Sequence, residues 1–128
     1  MEGVEDIPGT ALHEGIEWDW ETFPEYLDVL EKKPLAIDVG TQIPHGAVRA
    51  YVMGERGINH EPATEEEISK MKEIVKEAIQ AGAYGFTTSR TEKHSDVDGK
   101  LTPSITAHKK ELVEIAKSLG ELNQGVLQ

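Results

Sequence analysis

The chain has 128 residues, enough for one domain with a real core, and its 24 acidic against 13 basic residues give a net charge of −11. That balance excludes the basic face that nucleic acid or an anionic membrane surface requires, so neither is expected as a partner. The lack of cysteine excludes disulfides, a thiolate nucleophile and Cys-type zinc sites. No apolar run approaches the ~20 residues of a membrane span. The acidic start (Glu2, Glu5, Asp6) lacks the basic and apolar regions of a signal peptide, and the expected location is cytoplasmic.

Residues 1–18 read as a connection, punctuated by Gly3, Pro8, Gly9 and Gly15, with Leu12 and Ile16 making at most one amphipathic turn. Trp20, Phe23, Leu27 and Leu30 then fall at helical spacing. Thr22 and Glu25 have capping-box spacing, and Lys32 and Lys33 suit the helix end before Pro34. Leu35 to Val39 is almost continuously apolar and predicts a short strand covered on both faces, as in parallel sheets. His45 to Met53 predicts a short helix with Val48, Tyr51 and Val52 facing one way.

Thr64-Glu65-Glu66-Glu67 is a capping box whose acidic turn complements the helix dipole. The stripe of Ile68, Met71, Ile74, Val75, Ala78 and Ile79 follows, and Gly82 ends the helix. Ala83 to Thr88 predicts a second strand. A third helix begins near Thr106, with Leu112, Ile115, Ala116 and Leu119 on one face, and Gly125 to Gln128 starts a further strand. This alternation predicts an α/β fold with about three parallel strands and flanking helices. So few strands, the last beginning at the chain's end, lead us to expect a segment of a larger domain. The alternative is a stand-alone small α/β binding or interaction module without catalysis.

In parallel α/β folds the active site lies at the C-terminal ends of the strands. That rule selects Gly40 to Arg49 and the polar stretch from Thr87 to Pro103, which is far longer than the usual ~4–6-residue connection. The second stretch carries Ser89, Arg90, Thr91, His94, Asp96 and Asp98, and Asp98-Gly99 reads first as a turn. The five histidines show no paired metal-ligand spacing. His60 and His108 are expected to be exposed, with His60 on the far side of the sheet from the site. His45 and His94 follow strands, and each reads either as a loop histidine bonding the backbone or as a group serving the substrate. Arg49 and Arg90 have the geometry to clamp a carboxylate, with an ion pair on the short helix as the plainer reading for Arg49. The candidate substrate-binding set is therefore His45, Ser89, Arg90 and His94, with no catalytic residue and no metal ligand in the chain.

The run from Gly40 to Gly57, GTQIPHGAVRAYVMGERG, resembles the N-acyl-D-amino-acid deacylases (D-aminoacylase type) of the amidohydrolase superfamily. So does Ala81 to Thr91 with His94 and the Asp98-Gly99 turn. The opening Met1 to Leu12 and Ile16-Glu17-Trp18 are similar to an internal stretch of such proteins. The resemblance implies that residues 1–128 are part of a distorted (β/α)8 TIM barrel, with Met1 internal and Gln128 inside a strand. It also implies a zinc enzyme acting on small N-acyl amino acids. Its metal ligands would be a His-x-His pair and a cysteine ahead of this region, then two histidines and an aspartate after it. The metal would polarise the amide carbonyl and activate water, with the downstream aspartate as general base. This segment would supply positioning and be inactive alone. The family's better-studied members have a shorter Val-Gly-His turn in place of Val39 to His45, and lack the Arg90, His94, Asp98 pattern. This implies a divergent branch, for which hydrolysis of an amide-like bond is a broader expectation than D-amino-acid specificity.

Overall fold

A computed structural model describes residues 7–95 and 98–128. In chain order the elements are α1 (Gly9–Gly15), α2 (Phe23–Lys32), β1 (Ile43–Pro44), α3 (His45–Met53), α4 (Glu55–Ile58), α5 (Glu65–Ala81), β2 (Gly85–Thr87), α6 (Lys109–Leu122) and β3 (Val126–Leu127). The three strands form one parallel sheet in the order β1-β2-β3, with Ile43 opposite Phe86 and Phe86 opposite Leu127. This is the α/β segment with helical crossovers that the alternation predicts.

The helices begin and end where local chemistry places them. Thr22 accepts from the Glu25 N–H while Glu25 accepts from the Thr22 N–H at 2.8 Å, and Thr64 and Glu67 repeat the exchange at the start of α5. Gly82, at φ 119°, closes α5 in the left-handed conformation that costs other residues strain. Ile68, Met71, Val75, Ala78 and Ile79 are the buried stripe of α5, packed against Ile115 and Leu119 of α6 and against Ile43, Val48, Met53 and Phe86. Lys72 reaches Glu121 across the α5–α6 interface at 2.5 Å, but such solvent-facing pairs contribute little beside the apolar burial.

Two expectations are corrected. Leu35 to Val39 forms no strand; it is exposed, with Ile37 76% accessible, and sheet pairing starts later, where the Tyr84 N–H donates to the Thr41 carbonyl at 2.9 Å. β2 is only three residues long and its register is set by Ile43 and Pro44, so the apolar run lies beyond the end of its neighbour and has no ladder to join. In α3 the inward face is His45, Val48, Arg49 and Met53, whereas Tyr51 is exposed and donates its hydroxyl to Glu21 at 2.9 Å. The opening connection contains the short, mostly exposed α1. No helix among the described residues is long and apolar enough to cross a membrane.

β3 fits against β2 only because position 85 is glycine: a Cβ there would collide with the Val126 carbonyl oxygen. Gly85→Ala is expected to destabilise the chain by about 1–3 kcal/mol, as overpacking does. It should also speed amide exchange at Val126 and Gln128, which donate to the Tyr84 and Phe86 carbonyls. Urea unfolding with hydrogen exchange checks this; an unchanged midpoint would mean that the strands separate freely.

Candidate functional site

The C-terminal ends of β1 and β2 carry a hydrogen-bonded polar cluster. His45 opens α3 directly after β1, and Arg49 stands one turn later on the same face; both are fully buried. Glu111, in the first turn of α6, is buried between them. Its Oε1 lies 2.8 Å from His45 Nε2, and its Oε2 accepts from Arg49 at 2.6 Å. Arg49 donates further to the Glu61 carbonyl at 2.7 Å, and His45 Nδ1 lies 3.0 Å from Thr88 Oγ1, just past β2. The His45 ring also packs edge-on against Phe86.

Burial by itself pushes the Glu111 carboxyl up, but the hydrogen bonds from His45 and Arg49, with the guanidinium charge, outweigh it and hold the group below the usual carboxylate range. Both carboxylate oxygens are occupied, which is the condition for keeping a charge out of water.

The next residues along β2 are each tied to a different part of the long loop. Ser89 Oγ lies 2.7 Å from His94 Nδ1, and the Ser89 carbonyl accepts from Ser104 at 2.8 Å. Arg90, with its side chain exposed, donates to the Ala107 carbonyl at 3.0 Å. The loop doubles back on itself through the Ser95–Leu101 bridge and a bond from the Thr102 N–H to the His94 carbonyl, with Gly99 at φ 78° in the turn. Asp96 lies outside the described residues. The structure thus brings Ser89 and His94 together at the strand end with Arg90 beside them, and sets His45 beneath, linked to Thr88 rather than to the surface.

Other histidines differ from expectation in one respect. His108 is exposed as expected, at the residue before α6, but His60 is half-buried, at φ 63°. Its loop also lies on the same side as the site: Asn59 accepts from Lys100 at 2.7 Å, and the neighbouring Glu61 carbonyl holds Arg49. The reason is geometric. A crossover helix runs antiparallel to the strands it joins, so the start of α5 returns to their C-terminal ends.

Glu111 was missed by sequence reading, although its signal is present: it stands four residues before Ile115 and eight before Leu119, on the buried stripe of α6. An acidic residue at such a position needs a buried cation or donor, and Arg49 meets that need. Among the described residues, no three His, Asp or Glu side chains converge as a metal site would require.

A parallel sheet with helical crossovers, and with polar side chains gathered at its strand ends, is an α/β scaffold of the kind whose ligand sites lie at those ends. The chain is homologous to D-aminoacylase and N-acyl-D-aspartate deacylase, of the amidohydrolase family, over much of its length. It is 30% identical over 112 residues to D-aminoacylase from Alcaligenes xylosoxydans xylosoxydans, a match covering 88% of this chain and 21% of that protein. It is 36% identical over 67 residues to N-acyl-D-aspartate deacylase from the same organism, covering 52% of this chain and 13% of the relative. Two solved D-aminoacylase structures, one of a variant in complex with copper chloride, superpose with a TM-score of 0.66 at 27% identity, over 83% of this chain and 20% of theirs. The chain therefore spans about a fifth of the D-aminoacylases it matches. No family model matches it.

Replacing Glu111 leaves Arg49 buried without its counter-ion, so Glu111→Ala is expected to cost about 3–5 kcal/mol at neutral pH. Because the folded-state carboxyl titrates below the unfolded one, its contribution is complete above the usual range of about 4.3 and is lost as pH falls through the lowered value. Urea midpoints from pH 7 to pH 3 check both points: the wild type should lose this increment on acidification, and Glu111→Gln should lack that part of the acid dependence.

Proposed function

We propose that residues 1–128 are an internal segment of a metal-dependent amidohydrolase (β/α)8 barrel that hydrolyses amide bonds of N-acyl-D-amino acids or related small N-acyl substrates. The observation that carries this reading is the homology to two N-acyl-D-amino-acid deacylases across a continuous stretch that makes up only about a fifth of the longer match. The sheet supports the segment reading. Val126 and Leu127 are 59% and 54% exposed, and a groove of about 530 Å³ lined by Trp20, Phe23, Tyr26, Val48 and Tyr51 runs along the open side of β1. Soluble domains cover such surfaces.

The described residues do not fit a zinc site: His45 and His94 each bond a neighbouring side chain, and among the described residues no three ligands converge. Any metal, zinc by the reading above, would take its ligands from outside this chain, and the segment alone would be inactive. What the segment contributes is shape and polarity at the end of β2. Ser89 and His94, tied to each other, together with the exposed guanidinium of Arg90, are the groups offered to substrate, and His45 acts from below through Thr88. Arg90 is the cation suited to a substrate carboxylate. A cytoplasmic location accords with this reading.

The isolated chain, supplied with zinc and N-acetyl-D-amino acids, is expected to show no turnover. The same chain substituted for the homologous stretch of D-aminoacylase is expected to support hydrolysis that a chelator abolishes. Turnover by the isolated chain would overturn the segment reading, and a folded, metal-loaded chimera that cleaves no N-acyl amide would overturn the reaction class.

A further inference from the structure

The geometry points to Glu111 as a positioning residue that acts through His45 to fix the Thr88 hydroxyl as a hydrogen-bond acceptor, aimed at an N–H group of the ligand such as the amide N–H of an N-acyl amino acid. The identity of the ligand rests on the amidohydrolase reading; the relay of side chains does not.

The argument runs along the chain of donors. Arg49 donates to Glu111 Oε2, leaving Oε1 to face His45 Nε2 at 2.8 Å. An ionised carboxylate only accepts, so Nε2 carries the imidazole proton. With one guanidinium and one carboxylate in a pocket closed to water, a neutral imidazole keeps the cluster balanced, whereas a second ring proton would leave a net buried positive charge. His45 Nδ1 then has a lone pair and no proton. Its neighbour at 3.0 Å, Thr88 Oγ1, must donate to it. A threonine hydroxyl has one proton, and here it is committed inward. What remains on Oγ1 is acceptor capacity alone.

Thr88 is the residue after β2 and is half-buried rather than sealed, and in this proposal its oxygen meets the ligand at the strand end. A group that meets it must bring a donor. A ligand carboxylate is turned away there, acceptor against acceptor, while Arg90, two residues on, receives one. The relay therefore gives this strand end a direction: N–H toward Thr88, carboxylate toward Arg90.

The test reads that proton directly, by two-bond ¹H–¹⁵N correlation on the chain with ¹⁵N-labelled histidine. His45 is expected as one neutral tautomer protonated at Nε2. In Glu111→Gln the amide oxygen turns to Arg49 and the amide NH₂ to His45, so the tautomer should invert to Nδ1-protonated. A residue serving stability alone would lower the unfolding midpoint without inverting the ring. Nδ1 protonation in the wild type, a tautomer-averaged ring such as an unfolded chain gives, or a folded Glu111→Gln protein with an unchanged ring would each overturn the relay. Thr88→Val, which keeps the shape, should leave the His45 tautomer as it is. For the acceptor role, millimolar N-acetyl-D-alanine is expected to shift the Thr88 methyl resonance, and its N-methyl analogue, lacking the N–H, is not; equal responses or none would overturn it. Failure of the chimera to cleave amides would leave the tautomer result standing, so the two readings fail separately.

Discussion

A carboxylate held out of water is the constraint on which the arrangement of this chain depends. Burying Glu111 costs several kcal/mol unless its oxygens are hydrogen-bonded, and the structure gives each of them a partner. The donors come from 66 and 62 residues away in sequence, so the bond network ties α6 to α3 across the long loop between β2 and α6. Glu111 also stands in the first turn of α6, where the helix dipole favours negative charge. The same guanidinium continues to the Glu61 carbonyl and so fixes the segment that leads into α5. One charge thereby joins two helices, one loop and the end of one strand.

Such a network is a poor device for stability alone, because apolar residues of similar volume often do as well or better. What it supplies is a defined direction for polar groups. Apolar packing of Val48, Phe86 and Ile115 sets how closely the elements approach, but it cannot say which way a hydroxyl points. The bonds of His45 to Glu111 and Thr88 can, since a carboxylate only accepts and so fixes the ring proton of His45, and with it the direction of the Thr88 hydroxyl.

Much of the helical part of the fold was legible in the sequence, because its signals are local. Thr22 with Glu25, Thr64 with Glu67 and Gly82 are capping chemistry that acts within one turn, and the stripe of α5 is a periodicity. The strands were less legible. Leu35 to Val39 has the composition of a buried strand, yet a strand exists only where a partner pairs with it, and the register set by Ile43 and Phe86 lies farther along. Tyr51 shares a helix face with Val48 and Val52 by spacing, but its hydroxyl finds Glu21 on the surface. Of the site, Ser89, Arg90 and His94 could be picked out by their place after a strand. Their mutual bonding could not, because Ser89 meets His94 only once the loop has folded back through the Ser95–Leu101 bridge. Thr88 escaped for the same reason, and Glu111 left only the mark of an acidic residue on the apolar stripe of α6, with partners 62 and 66 residues away.

A barrel site draws its groups from several strand ends, and each end must be correct without help from the others. In this chain the end of β2 meets that requirement from its own resources. Thr88 is fixed through His45, Ser89 through His94 and Ser104, and Arg90 through the Ala107 carbonyl, so three consecutive residues are held from α3 and from two points of the long loop before α6. Side chains so held need little reordering when a ligand arrives, which is where binding energy is otherwise lost. On the proposed reading, the division of labour follows. Metal and general base come from the rest of the polypeptide, while this segment fixes the substrate's orientation, with the buried charge at Glu111 as the reference from which that orientation is set.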